Sequence, residues 1–188
     1  MNQIGFYFDQ TRCIGCYTCV VACKDWHDIN AGEGAWRWII PVEKGRYPDV
    51  FAAYLSLSCL HCAEPACIPA CPAGAVTKRD EDGIVVVDSE ACLGNSECGM
   101  FCKEACPYDA PRFGAEEGAK MQKCHLCAER WHEDKKPICV DSCPMRALDA
   151  GPIAELVEKY GDAREAEGFL YQADLEPSVI FTSKQSKP

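Results

Sequence analysis

The sequence contains no run of about eighteen apolar residues, so no segment is expected to cross a bilayer and any membrane link is assigned to another chain. It has no basic excess either. With Lys+Arg 19 against Asp+Glu 29, the formal net charge of −10 excludes a phosphate-binding groove and attraction to an anionic membrane surface. Nucleophile elbows, phosphate-cradling glycine loops and dinucleotide fingerprints are missing, which leaves no recognisable catalytic motif. The opening residues, Met1-Asn2-Gln3-Ile4-Gly5-Phe6-Tyr7-Phe8-Asp9, lack a basic region followed by an apolar core, so no secretory signal is expected. A disulfide framework is disfavoured for the same reason, because it needs an oxidising compartment. The aliphatic core is thin as well, since the hydrophobic share of 48% counts cysteine.

Cysteine is what the chain has in abundance: 16 in 188 residues. The residues fall into four runs: Cys13, Cys16, Cys19 and Cys23; Cys59, Cys62, Cys67 and Cys71; Cys92, Cys98, Cys102 and Cys106; Cys124, Cys127, Cys139 and Cys143. Every run ends in two cysteines four positions apart, and Pro72, Pro107 and Pro144 follow three of them. This is an internal repeat. Three closely spaced thiolates on one loop hold three corners of an iron–sulfur cubane, and the fourth, one helical turn on, ligates the other cluster of a pair. Structural zinc, the competing tetrathiolate, uses two separated Cys-x2-Cys knuckles, and only the last run has that form. In the first run Lys24 replaces the proline and is expected to set a cation beside a cluster.

Between the second and third runs, Ala75-Val76-Thr77-Lys78 and Ile84-Val85-Val86-Val87 flank Glu81-Asp82-Gly83, which predicts a hairpin. Residues 24–52 hold Trp26, Trp36, Trp38, Tyr47 and Phe51 but no cysteine, and read as an insertion packed over the cluster region. Pro152 opens a helix carrying Ile153, Leu156, Val157 and Tyr160, with Gly161 placed as its cap. Val179-Ile180-Phe181 suits an edge strand or an extended surface run, and residues 182–188 are expected to fray. His61 and His125 lie between cysteines where no ligand is missing, so they read as residues behind the ligands or at the surface; His27 and His132 carry no motif.

The stretches Ser56-Leu57-Ser58-Cys59-Leu60-His61-Cys62, Gly83-Ile84-Val85-Val86-Val87-Asp88, Cys106-Pro107-Tyr108-Asp109-Ala110-Pro111 and residues 135–144 resemble the iron–sulfur electron-transfer subunits of the dimethyl sulfoxide reductase family of molybdenum or tungsten bis-pterin oxidoreductases. The resemblance implies an α+β fold of two bacterial ferredoxin-like modules. One is assembled from both chain ends (1–23 with 114–150), the other is central (53–113), with the insertion at 24–52 and a helical and extended tail at 151–188. It implies four [4Fe–4S] clusters. The first takes Cys13, Cys16, Cys19 and Cys143; the second Cys23, Cys124, Cys127 and Cys139; the third Cys59, Cys62, Cys67 and Cys106; the fourth Cys71, Cys92, Cys98 and Cys102. Phe6 to Phe8 and Ala147 to Asp149 would then close the outer module as a two-stranded ribbon.

The third run departs from the family spacing. Aligned without a gap, Asn95 stands where a ligand belongs and the fourth cluster becomes [3Fe–4S]; with residues 95–97 as an insertion, all the cysteines and Pro107 keep register. The insertion is the favoured alignment. By the same resemblance the chain is not an enzyme by itself. It relays single electrons between a catalytic pterin subunit and a membrane quinone subunit or soluble carrier. The expected location is the cytoplasm or the cytoplasmic face of a membrane, or export in folded form with a twin-arginine partner. The alternatives are a stand-alone polyferredoxin, the small subunit of a tungsten aldehyde oxidoreductase, and a zinc-stapled interaction scaffold.

Overall fold

In a computed structural model that describes residues 2–32 and 34–185, the first strand, β1 (Ile4–Asp9), is buried at every residue. Side chains alternate across a strand, so β1 supplies two cores at once. Phe6 and Phe8 enter the largest core cluster, beside Cys19, Cys124, Cys139 and Cys143. Tyr7 turns the other way, packs with Leu156 and Ile180, and stacks on Tyr160 with ring centroids 3.7 Å apart.

A strand covered on both faces has no water for its backbone, so both of its edges need partners. β6 (Leu148–Pro152) pairs antiparallel along one edge and β7 (Val179–Thr182) pairs parallel along the other. The expected two-stranded ribbon is therefore a three-stranded sheet of order β6-β1-β7. Val179, Ile180 and Phe181 are 2%, 0% and 2% exposed, which removes the surface-run alternative. The helix α1 (Thr18–Trp26) follows the first cysteine loop. The last helix, which we label α5 (Ile153–Tyr160), begins after Pro152, stops at Gly161 with φ 85°, and lies against β1, β6 and β7.

Gly5 is the closest approach in this sheet: a Cβ there would lie 2.2 Å from the Ser178 carbonyl oxygen and 2.4 Å from Ile153 Cδ1. Gly5→Ala is expected to push β7 and α5 off β1, at a cost of about 2 kcal/mol, read as a lowered thermal midpoint of the cluster-loaded chain.

Residues 24–52 do not end where the insertion was expected to end. They run into a long hairpin, β2 (Arg37–Arg46) and β3 (Asp49–Ser58), in register from Arg46↔Asp49 to Arg37↔Ser58. The reversal is tight because Gly45, at φ 82°, leaves room for the Asp49 carbonyl, which would sit 2.2 Å from any Cβ. Strand pairing carries β3 past residue 52 and delivers the chain directly to Cys59. The outer half of the hairpin is solvated, whereas Ile39, Leu55 and Leu57 at its base are buried in the main core.

The short strands β4 (Val76–Lys78) and β5 (Val85–Val87) form the expected central hairpin, with Gly83 at φ 69°. Val76 and Val85 start a second core that contains Cys92, Cys102 and Met121. Three single-turn helices complete the cysteine-bearing framework: α2 (Phe101–Glu104), α3 (Ala128–Trp131) and α4 (Ile138–Asp141). The tail does not fray at residue 182. The Lys184 amide donates to Gln10 Oε1 at 3.2 Å and its ammonium to the Ala52 carbonyl at 2.7 Å; the rest of the expected frayed tail, residues 186–188, lies outside the described residues. No helix among the described residues is long and apolar enough to cross a membrane.

Candidate iron–sulfur centres

Each helical turn sets two thiols about one turn apart, as the Cys-x3-Cys repeat requires. Cys19 and Cys23 lie on α1, Cys102 on α2 with Cys106 just beyond it, and Cys139 on α4 with Cys143 just beyond it. The loops that precede these turns reverse through left-handed backbone: Gly15 and Tyr17 before α1, Gly99 and Met100 before α2, Leu126 and Cys127 before α3. Successive residues in such conformations turn their amides inward, toward sulfur. Amides of Met121, Leu126 and Ala147 donate to the sulfurs of Cys92, Cys124 and Cys143, each at 3.4 Å.

Twelve of the thiols ring three small, largely apolar cavities. Cys13, Cys16, Cys19 and Cys143 line one with Phe8 and Leu148. Cys59, Cys62, Cys67 and Cys106 line another with Pro65 and Val85. Cys71, Cys92, Cys98 and Cys102 line a third with Val76 and Met121. In the remaining group Cys23 faces Cys124, Cys139 and Cys127, and burial followed by repulsion from those three pushes its thiol well above the ordinary range. Asn95 is turned to a different task. Its amide donates to the carbonyls of Gly114 and Glu116 at 3.3 and 3.0 Å, and its Oδ1 accepts from the Gly118 amide at 2.9 Å.

Whether these groups suit iron is decided by their charge. All the cysteines are free, and burial raises the thiols of Cys62, Cys67 and Cys127 to about 12 and those of Cys102 and Cys124 to about 11. Thiols held that high are neutral at pH 7, and coordination to a metal ion supplies the driving force that removes their protons. Two buried cations point the same way. Arg37 is 2% and Lys123 4% exposed, and their hydrogen bonds among the described residues all go to neutral oxygens of Ser56, Ser58, Val85 and Cys124. Buried positive charge without a carboxylate is costly unless another anion lies nearby. Clusters with four thiolates each, at about −2, are anions of that kind.

Two buried or half-buried histidines lie close to the cysteine groups, and one of them touches a sulfur. His27 Nε2 lies 3.3 Å from Cys127 Sγ, and its ring packs against Trp36 and His125, both at 4.8 Å. Burial, with His125 alongside, lowers its pKa to about 4, so the ring is neutral at pH 7. His61 is fully buried; its Nδ1 accepts the Val85 amide at 3.0 Å, so Nε2 carries the proton, and this N–H has no partner among the described protein atoms. A buried, unpaired donor one residue from Cys62 leaves room for an acceptor that the protein itself does not supply. Surface placement is thus corrected for His61.

Sequence reasoning missed His27, Arg37 and Lys123. A lone histidine at a helix end, an arginine between two tryptophans and a lysine before a cysteine all look solvated in one dimension. The cation expected from Lys24 is turned outward instead: its ammonium holds the carbonyls of Asn30 and Gly32 at 3.0 and 3.2 Å.

Comparison with known proteins agrees with this chemistry. Residues 50–153 match the 4Fe-4S dicluster domain family. The sequence is 49% identical over 169 residues to a chain of the anaerobic dimethyl sulfoxide reductase of Escherichia coli, covering 86% of this protein and 79% of the relative. It is 36% identical over 173 residues to a subunit of the sulfite dehydrogenase of Allochromatium vinosum, covering 81% and 70%. It is 32% identical over 181 residues to the formate dehydrogenase-O iron-sulfur subunit of Escherichia coli, covering 88% and 58%. The thiol groups, the inward amides and these similarities lead to one conclusion: this protein belongs to the 4Fe-4S dicluster family, among the non-catalytic iron–sulfur electron-transfer subunits of the dimethyl sulfoxide reductase group.

Proposed function

We propose that the chain holds four [4Fe–4S] clusters in a row and relays single electrons between a catalytic molybdenum or tungsten bis-pterin subunit and a second redox partner. The ligand sets are Cys13/Cys16/Cys19/Cys143, Cys23/Cys124/Cys127/Cys139, Cys59/Cys62/Cys67/Cys106 and Cys71/Cys92/Cys98/Cys102. When bound, the clusters supply one-electron storage with little rearrangement. The observation that carries the reading is that twelve of the thiols gather in fours around three separate small cavities while neighbouring groups share a helical turn or a close charge. Cys19 and Cys23 share α1, and the charge of Cys59 reaches Cys124 while that of Cys102 reaches Cys67. These links support the order in which the groups are named.

The two ends of the row support docking to other proteins. Ile14, Tyr17 and Met145 are 57%, 48% and 39% exposed beside the first group, and Leu93 and Phe101 are 39% and 52% exposed beside the last. Apolar rims at both ends favour a subunit held between partners over a free polyferredoxin. The second partner is either a membrane-anchoring quinone subunit or a soluble carrier. Within the chain, side chains exclude water and amides stabilise sulfur charge.

Anaerobically purified protein is expected to contain about sixteen irons and as many sulfides, four of each per cubane. Zinc in their place, or about eight irons, would overturn the four-cluster reading. Affinity capture of the protein from its native cells should bring down a large pterin-containing polypeptide.

A further inference from the structure

Arg37 stands at the start of β2, opposite Ser58 in the strand register, with no carboxylate partner among the described residues. Its two terminal nitrogens donate to Ser56 Oγ at 3.1 Å and Ser58 Oγ at 3.0 Å, and its guanidinium lies 4.6 Å over the Phe6 ring. Ser56 Oγ in turn lies 3.7 Å from Cys19 Sγ, so one hydroxyl connects the guanidinium to a ligand of the first group. The charge also bears on Cys139, Cys124 and Cys23, the ligands of the second group. Three contacts hold the side chain, and the main core encloses it. It is a fixed cation with cysteines of two cluster groups around it and no carboxylate partner among the described residues.

We propose that Arg37 is a potential-setting residue shared by the first and second clusters, the outer pair built from the two chain ends: it is the interior counter-charge that makes each of them easier to reduce, and it affects the inner pair, the third and fourth, less. The inference rests on the four-cluster reading and deepens it. Reduction adds one negative charge to a site that is already anionic. A buried cation favours the reduced form, and it does so with little screening by salt because water and ions are excluded from the strand base. Arg37 also keeps its charge under all conditions of interest, as a lysine or histidine there need not. A purely structural role would be limited to holding the two serines of β3. That role predicts no selective change in potential and no rescue by charge alone.

The test is an EPR-monitored redox titration of the full, cluster-loaded chain, with the outer signals assigned through Cys16→Ser and Cys127→Ser. Iron content of the wild type is read first: about eight irons would sink the four-cluster reading before Arg37 is tested. With all clusters present, Arg37→Met should shift the oxidised-to-reduced ratio of the outer pair at least tenfold toward oxidised at a fixed potential, about 59 mV lower for one electron. The inner pair should stay within threefold of wild type, and Arg37→Lys should keep the outer pair within threefold as well. Outer potentials unmoved in Arg37→Met, an equal shift of all clusters, or a shift in Arg37→Lys as large as in Arg37→Met would each overturn the proposal. If Arg37→Met does not retain the outer clusters, Arg37→Gln is judged by the same criterion. Loss of outer iron in both neutral variants with retention in Arg37→Lys supports a charge role; loss in all three overturns it.

Discussion

Stripping iron with a chelator, with the thiols kept reduced, is expected to unfold the chain cooperatively. The reason lies in what the cores are made of. The larger one includes Cys19, Cys59, Cys124, Cys139 and Cys143, and the smaller one Cys92 and Cys102, so removing the ligated groups empties both centres of packing. The local structure around them cannot stand alone. α2, α3 and α4 have 4 residues each and β4 and β5 have 3, far below the length at which isolated helices or hairpins persist in water. Ordering the loops costs about 1–2 kcal/mol per residue in backbone entropy, which the cross-linking clusters offset and a thin aliphatic core does not. Amide exchange should show loss of protection across residues 59–113 together with loss of the visible absorption. Native-like protection of that segment without iron would overturn the expectation.

The second large effect separates the two alignments of the third cysteine run. Cys106→Ala is expected to cost between about one and four irons per chain, as the third centre either falls to a three-iron cluster or is lost. Asn95→Ala should cost none. Its side chain staples residues 94–95 to the 114–118 loop through three hydrogen bonds to backbone, so its removal should loosen that loop and leave the iron count at its wild-type value. The Cys98 thiol donates to the Gly94 carbonyl at 3.2 Å, a bond it must give up on deprotonation, so a small movement of this loop accompanies ligation. Wild-type iron content in the Cys106 variant would favour the ungapped alignment, in which Cys98 and Cys102 take the later slots and Asn95 stands where a ligand belongs.

The elements legible in the sequence are those whose signals are local. Asp82-Gly83 marks the central hairpin, and the Ile153, Leu156, Val157 and Tyr160 spacing with Gly161 marks the last helix. The β2–β3 hairpin was hidden because Pro41 and Gly45 sit within β2 and Pro48 within the turn. Pro41 is tolerated because β2 is an edge strand whose other side has no ladder. The thiol groups could be anticipated because ligand spacing is chemistry written along the chain. The polar groups around them could not. The burial of Arg37 depends on β3 bringing Ser56 and Ser58 opposite it, and the contact of His27 with Cys127 spans 100 positions.

The pairing of β1 with β6 and β7 has a consequence for how the polypeptide is made. In its sheet β1 pairs with β6 and β7, so that sheet cannot close until residue 182 has been made. During that interval the thiols at Cys13, Cys16 and Cys19 follow a strand without its sheet partners and remain open to oxidation and to the wrong metal. The third site is unfinished too, because Leu175 lines it and the carbonyls of Leu175 and Glu176 accept from the amides of Glu64 and Ala63. Synthesis order therefore favours filling these sites late, with the N-terminal segment shielded in the meantime.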